Sequence, residues 1–167
     1  MLKTYVRLGE IEFGKLMDVY YEGNRENAED RYPYEDVHVG ILKAEQDFYQ
    51  YLRESFFGVE GAVYAVWEEQ GKYLSALRLE PYADGLLLEA LETHPDYRRK
   101  GYAKKLIEAV LVDLKDKGIE KIYSHINKRN VGSLQTHLSC GFQRICEQAT
   151  YIDGSVTRSS CTMVFRF

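Results

Sequence analysis

The stretch that most constrains this chain is residues 86–117, LLLEALETHPDYRRKGYAKKLIEAVLVDLKDK. It opens with an apolar run of strand length, Leu86 to Leu91. A turn with Pro95 and a cationic patch, Arg98-Arg99-Lys100-Gly101, follows. Ala103, Leu106, Ile107, Val110 and Leu114 then recur at the spacing of one helical face. A strand, a basic glycine loop and a helix start, joined without a gap, make an anion site. The first-turn N–H groups have no partner inside the helix, and the positive end of its dipole points the same way. Gly101 lets backbone approach a phosphate because no Cβ stands in the way. One glycine is too few for a dinucleotide fingerprint, and the Gly-Lys-Ser/Thr ending of a Walker loop is absent.

The rest of the chain arranges itself around this unit. Lys3 to Leu8 reads as a first strand and Ile11 to Tyr21 as a helix. Residues 22–37 lose apolar periodicity and read as a loop or a frayed helix end. Between Asp18 and Asp36 seven acids outnumber two arginines, with Tyr20, Tyr21, Tyr32 and Tyr34 interleaved. This is either a solvated acidic loop or an electronegative aromatic wall that draws in a cationic amine. A second helix is expected over residues 41–56. Three strands then follow as an antiparallel meander over residues 62–92, broken at Gln70-Gly71 and from Pro81 to Gly85. Residues 120–126 read as a strand parallel to 86–92, because a crossover helix separates the two. Asn130 caps a helix that stops at Gly141. The end reads as a hairpin, residues 142–152 and 155–167 around Asp153-Gly154. The fold class is therefore α/β, a mixed and mostly antiparallel sheet flanked by helices.

Composition narrows the function. With 167 residues, 45% hydrophobic and 29% charged, the chain suits one domain, 1–167. A net charge of -4 without a long Lys/Arg cluster argues against nucleic acid. No apolar run reaches the ~18 residues of a membrane span, and MLKTYVRLGE lacks a signal-peptide core. Cys140, Cys146 and Cys161 are odd in number and lack metal spacing, so reduced thiols, a cytoplasmic location and no metal are expected.

Arg98-Arg99-Lys100-Gly101-Tyr102-Ala103 resembles the Gln/Arg-x-x-Gly-x-Gly/Ala motif of the GNAT superfamily of acetyl-CoA-dependent N-acetyltransferases, and His94-Pro95-Asp96-Tyr97 resembles that family's approach to it. Asn130, Ser133, Gly141 and Phe142 match the family's second signature, whose tyrosine position is held here by His137. The two signatures stand in the family's order and cover about half the chain.

The resemblance implies a GNAT-like fold in which strands 86–92 and 120–126 splay apart. It implies acetyl-CoA as co-substrate, held by Leu91, Glu92, Thr93, Arg98, Arg99, Lys100, Gly101, Tyr102, Ala103, Lys104, Asn130, Ser133 and His137. The acceptor is then a primary amine of a small molecule, peptide or protein. A homodimer is a further expectation, and no nucleic acid or membrane partner is expected.

For the base, Glu89, Glu92 and His125 are candidates. Glu89 and Glu92 are three apart on one strand and are expected to face opposite ways. For the acid, His137 can donate as an imidazolium, with Tyr123, Tyr151 or solvent as substitutes. The missing tyrosine also leaves a second reading open, a CoA-binding module without chemistry. A third is an α/β anion site for another nucleotide.

Overall fold

A computed structural model describes residues 1–167. Strand β1 (Leu2–Tyr5) precedes helices α1 (Phe13–Arg31) and α2 (Val37–Glu54). The meander β2 (Val63–Glu69), β3 (Lys72–Tyr82) and β4 (Gly85–Thr93) follows, then helix α3 (Tyr102–Asp116) and β5 (Lys121–Asn127). Helix α4 (Val131–Ser139), the short strands β6 (Gln143–Cys146), β7 (Ala149–Thr150) and β8 (Val156–Thr157), and β9 (Ser160–Arg166) complete the chain.

One seven-stranded sheet runs β1-β2-β3-β4-β5-β9-β6. Every pair is antiparallel except β4–β5, which the α3 crossover makes parallel. One face carries Ala65, Leu77, Leu79, Leu88, Ile122, Cys161 and Met163, packed on Leu106, Ile107 and Val110 of α3. The other carries Tyr64, Val66 and Ala76, packed on Leu16, Val19 and Tyr20 of α1 and Leu52 of α2. The result is helix, sheet, helix, and alternate residues of the central strands serve opposite cores.

Two expectations change. Residues 22–31 are not a loop: α1 continues to Arg31. Helix formers and the Arg25–Glu29 pair, 3.7 Å apart, sustain that half, while Asn24 and Ala28 bury against α2 instead of the sheet. Helix α2 also starts earlier than expected, at Val37, where the Asp36 carboxylate caps it by accepting from the His38 N–H at 2.9 Å. The C-terminal hairpin forms as expected: β6 pairs with β9 and β7 with β8, antiparallel, around a turn at Gly154, while β7 and β8 pair only with each other and β9 lies between β5 and β6. Residues 147–159 have no alternating apolar face to hold them in the main sheet.

Candidate active site

The loop before α3 is bent by two left-handed residues, Arg99 (φ 59°) and Gly101 (φ 82°), with Gly101 at the N-cap of α3. Around that turn the backbone N–H groups of residues 99–104 donate to no other group of the chain. A Cβ placed on Gly101 would meet no atom within 4 Å, so no side chain crowds the backbone at this turn. These features fit a pyrophosphate.

The loop forms one side of a cleft of about 420 Å³, together with Leu91, Glu92 and Thr93 of β4. Asn130, Gly132, Ser133 and Thr136 form the other side. The cleft thus brings together Arg98, Arg99, Gly101, Tyr102, Ala103 and Lys104 with Leu91, Glu92, Thr93, Asn130 and Ser133. Lys100 stands outside it, with Nζ on the Asp96 carbonyl at 2.9 Å and over the Tyr97 ring. Arg98 lines the cleft but is already engaged. It pairs with Glu22 of α1, reaches Glu92 at 3.5 Å, and donates to the Thr93 carbonyl at 3.3 Å. Arg99 is an exposed cation without a carboxylate partner.

Beyond this cleft the sheet opens. β4 and β5 pair only at Leu86, Leu87 and Leu88 against Ile122, Tyr123 and Ser124. Past that point they part around a gap of about 150 Å³ lined by Glu89, Ala90 and Leu91, by Ser124, His125 and Asn127, and by Asn130, Ser133 and His137 of the α4 region. Leu91, Asn130 and Ser133 line both spaces, so the cleft runs into the gap. The splay implied by the family resemblance is present.

Glu89 and Glu92 do not face opposite ways. Ala76 pairs with Glu92 and Arg78 with Glu89, so Leu77 alone spans Ala90 and Leu91, a β-bulge. Ala90 takes a left-handed φ of 51°, and its displaced carbonyl accepts from the Tyr20 hydroxyl at 2.6 Å. The extra residue resets the alternation, and both glutamates share the face of Ala76 and Arg78. Glu89 sits at the gap with Oε1 3.4 Å from Arg78 Nη2. Burial pushes the Glu92 carboxyl up, helped by Glu22 and Glu26 and opposed by Arg98.

His125 is half-buried and edge-on to the rings of Tyr82 and Tyr151. The Thr162 hydroxyl donates to the Gln148 carbonyl at 2.8 Å and so accepts from His125 Nδ1, 3.1 Å away. Nε2 is buried without a partner. Burial lowers the pKa of this imidazole, against the pull of the Thr150 carbonyl and Glu89.

His137 departs from the expected imidazolium donor. It is 1% exposed. Nδ1 donates to the Ser133 carbonyl at 2.8 Å, which leaves Nε2 to accept from the Ser124 hydroxyl at 3.2 Å. Burial lowers its pKa, so the ring is neutral with both nitrogens occupied. Of the substitutes, Tyr123 donates to Asp84 at 2.6 Å, and Tyr151 packs edge-on against His125 beside the gap.

The acids between Asp18 and Asp36 also divide. Glu22 and Glu26 approach Glu92. Glu29 pairs with Arg25, Glu35 with Lys43, and Asp36 caps α2. Sequence reasoning missed two residues on β3, Arg78 and Glu80, which share the face of Glu89. Their signal was two charges two apart in an apolar strand, YLSALRLE.

Solved structures share this architecture across the whole chain. An acetyltransferase from Streptococcus agalactiae is 18% identical with a TM-score of 0.67, covering 100% of this chain and 98% of that one. The PaiA N-acetyltransferase from Thermoplasma acidophilum, in complex with coenzyme A, is 16% identical with a TM-score of 0.65, covering 100% and 99%. The ribosomal-protein-S18-alanine N-acetyltransferase from Escherichia coli is 15% identical with a TM-score of 0.60, covering 99% and 94%. Among proteins of curated function, none matches the chain. The family model described as Acetyltransferase (GNAT) family matches residues 21–142, a span that holds both signatures, the cleft and the gap. The chain belongs to the acetyltransferase (GNAT) family, whose acyl donor is acetyl-CoA.

Proposed function

We propose that this protein transfers the acetyl group of acetyl-CoA to a primary amine by direct attack, with Glu89 as the base. The observation that carries the reading is the continuity of the site: unpartnered N–H groups, an open strand edge and a gap follow one another and end at Glu89. In this reading the N–H groups of residues 99–104 hold the pyrophosphate and Arg99 adds charge at the rim. The edge of Leu91, Glu92 and Thr93 pairs with the pantetheine amides as a further strand would. A backbone N–H of that edge polarises the thioester carbonyl. Holding both reactants there supplies on the order of 7 kcal/mol or more of the barrier reduction.

The amine arrives along the face of α1. Glu22, Glu26 and Glu92 give that approach a negative potential, which favours an acceptor carrying positive charge. Glu89 takes the proton from the attacking amine, directly or through one water. A thiol with a reference pKa of about 8.5 leaves readily as its anion near neutral pH, so no dedicated acid is required. His137 then serves to fasten α4 to β5 through Ser124. Three free cysteines fit a reducing, cytoplasmic setting.

A CoA-binding module without chemistry is the second reading, and the occupied nitrogens of His137 favour it. Thiol release from acetyl-CoA over a panel of amines, with Glu89→Gln beside the wild type, separates the two. The expected result is a kcat lower by about 10²-fold or more in the variant with an unchanged KM for acetyl-CoA. Coenzyme A binding without thiol release for any amine would favour the second.

A further inference from the structure

Glu80 is 7% exposed, makes no salt bridge, and has an oxygen, Oε1, that meets no partner. It pairs across the sheet with Leu87, two register positions along from the Arg78–Glu89 pair and so on the same face, where it is a diagonal neighbour of Glu89 and feels its charge. Arg78 is clamped over the rings of Tyr51, at 4.9 Å, and Phe56, at 5.5 Å, and its one carboxylate contact is Glu89. One arginine thus faces two neighbouring carboxyl groups in a mostly enclosed place. Two such groups do not both ionise at low cost; they share a proton. The proton belongs on Glu80, the more buried of the two, because Glu89 has the arginine and opens on the gap.

We infer that Glu80 is a positioning residue for the transfer: a neutral, buried carboxyl whose O–H holds the Glu89 carboxylate between itself and Arg78, with a lone pair turned to the gap. Burial and then the charge of Glu89 push the Glu80 carboxyl up, with Arg78 opposing. The other groups that face the pair are Tyr64 of β2, Tyr20 of α1, Tyr51 of α2, Glu92 of β4 and His125 of β5. None of them carries a charge when neutral Tyr and His are counted, apart from Glu92, which Arg98 meets. The trio of Arg78, Glu89 and a protonated Glu80 is then electrically balanced without a further ion.

This inference rests on Glu89 as the base. The test compares Glu80→Leu, Glu80→Gln and Glu89→Gln with the wild type, by kcat against pH, KM for acetyl-CoA and melting temperature. Glu80→Leu removes the hydrogen bond and fills the site with apolar atoms. It is expected to melt no lower than the wild type and to lose about tenfold in kcat with an unchanged KM for acetyl-CoA. Glu80→Gln keeps an N–H where the O–H was and is expected to recover most of that loss. The wild-type kcat is expected to fall as the pH rises through the Glu80 ionisation, a limb absent from Glu80→Gln. Full kcat in Glu80→Leu, or one and the same pH profile in wild type and Glu80→Gln, would overturn the role of Glu80. Should Glu80→Leu not fold, the two profiles still decide. Full kcat in Glu89→Gln would instead remove the base itself, an outcome distinct from a failure at Glu80 alone.

Discussion

Gly101 offers a test in which strain and binding separate. Its φ of 82° is a left-handed conformation that costs an L-residue about 1–2 kcal/mol. For a chain of this size that corresponds to a melting temperature lower by about 2–8 °C in Gly101→Ala. The strain is present with or without ligand and cancels from a dissociation constant. The new Cβ does not cancel. It meets no protein atom within 4 Å, and on the proposed placement of the pyrophosphate beside the N–H groups of residues 99–104 it adds a carbon where the phosphate comes closest to the backbone. Displacing a phosphate from two charge-assisted hydrogen bonds, each about 1.5–3 kcal/mol, predicts a loss on the order of 10²-fold or more in affinity.

A matched control lies at the other end of the same helix. Gly118 has a φ of 75° and an equally open Cβ position, but it follows the C-terminus of α3, away from the cleft. Gly118→Ala should lower the melting temperature by a similar amount and leave coenzyme A affinity alone. Calorimetric titration of coenzyme A into the three proteins, with thermal melts beside it, reads both quantities. Equal affinity in Gly101→Ala and Gly118→Ala, with both variants folded, would refute the placement of the pyrophosphate.

Two further outcomes follow from the charges. Glu26 has no cationic partner and helps hold the Glu92 carboxyl up, so Glu26→Gln should raise KM for a cationic amine and spare that for acetyl-CoA. The difference should shrink with salt, since exposed charges are screened over ~10 Å at 0.1 M; an effect that persists at high salt would point to direct contact instead of attraction through the field. His137 and His125 are both held below the ordinary imidazole pKa by burial. Below about pH 6.5 the unfolded chain takes up protons that these folded rings refuse, so stability is present above that pH and drains as pH falls through it. His137→Gln should therefore flatten the loss of melting temperature between neutral and mildly acidic pH. It should also leave the alkaline side of the kcat profile as in the wild type, and a limb that vanished would make the imidazole a proton donor after all.

The sequence showed the meander, the parallel crossover and the cradle because each rests on local signals. Alternation marks the strands, the 3.6-residue period marks α3, and glycine and proline mark the breaks. The second half of α1 carried no such signal. Its buried side, Asn24 and Ala28, meets another helix and is small or polar, so apolar periodicity ends at Tyr21 while the helix goes on to Arg31. The insertion of β9 between β5 and β6 was invisible for a different reason. Strand order is a long-range choice that neither strand's own residues encode.

The site was legible in proportion to how regular its backbone is. Position in a helix shows that His137 faces inward, but what it meets there, Ser124 and the Ser133 carbonyl, decides that it is neutral and occupied. The bulge matters more. A strict alternation separates Glu89 from Glu92, and one left-handed alanine puts them on the same side, beside Arg78 and Glu80. Nothing about an alanine in an apolar strand announces that conformation. The reason it persists lies elsewhere, in the Tyr20 hydroxyl that takes up the displaced carbonyl at 2.6 Å. The same distortion accompanies the parting of β4 from β5, because β4 holds register with β5 only as far as Leu88, two residues before Ala90. A single local departure from sheet geometry thus adjoins the opening of the cleft and gathers the carboxylates beside it. The residues that carry the chemistry are clear from their types, but their grouping depends on a turn of backbone held from another element.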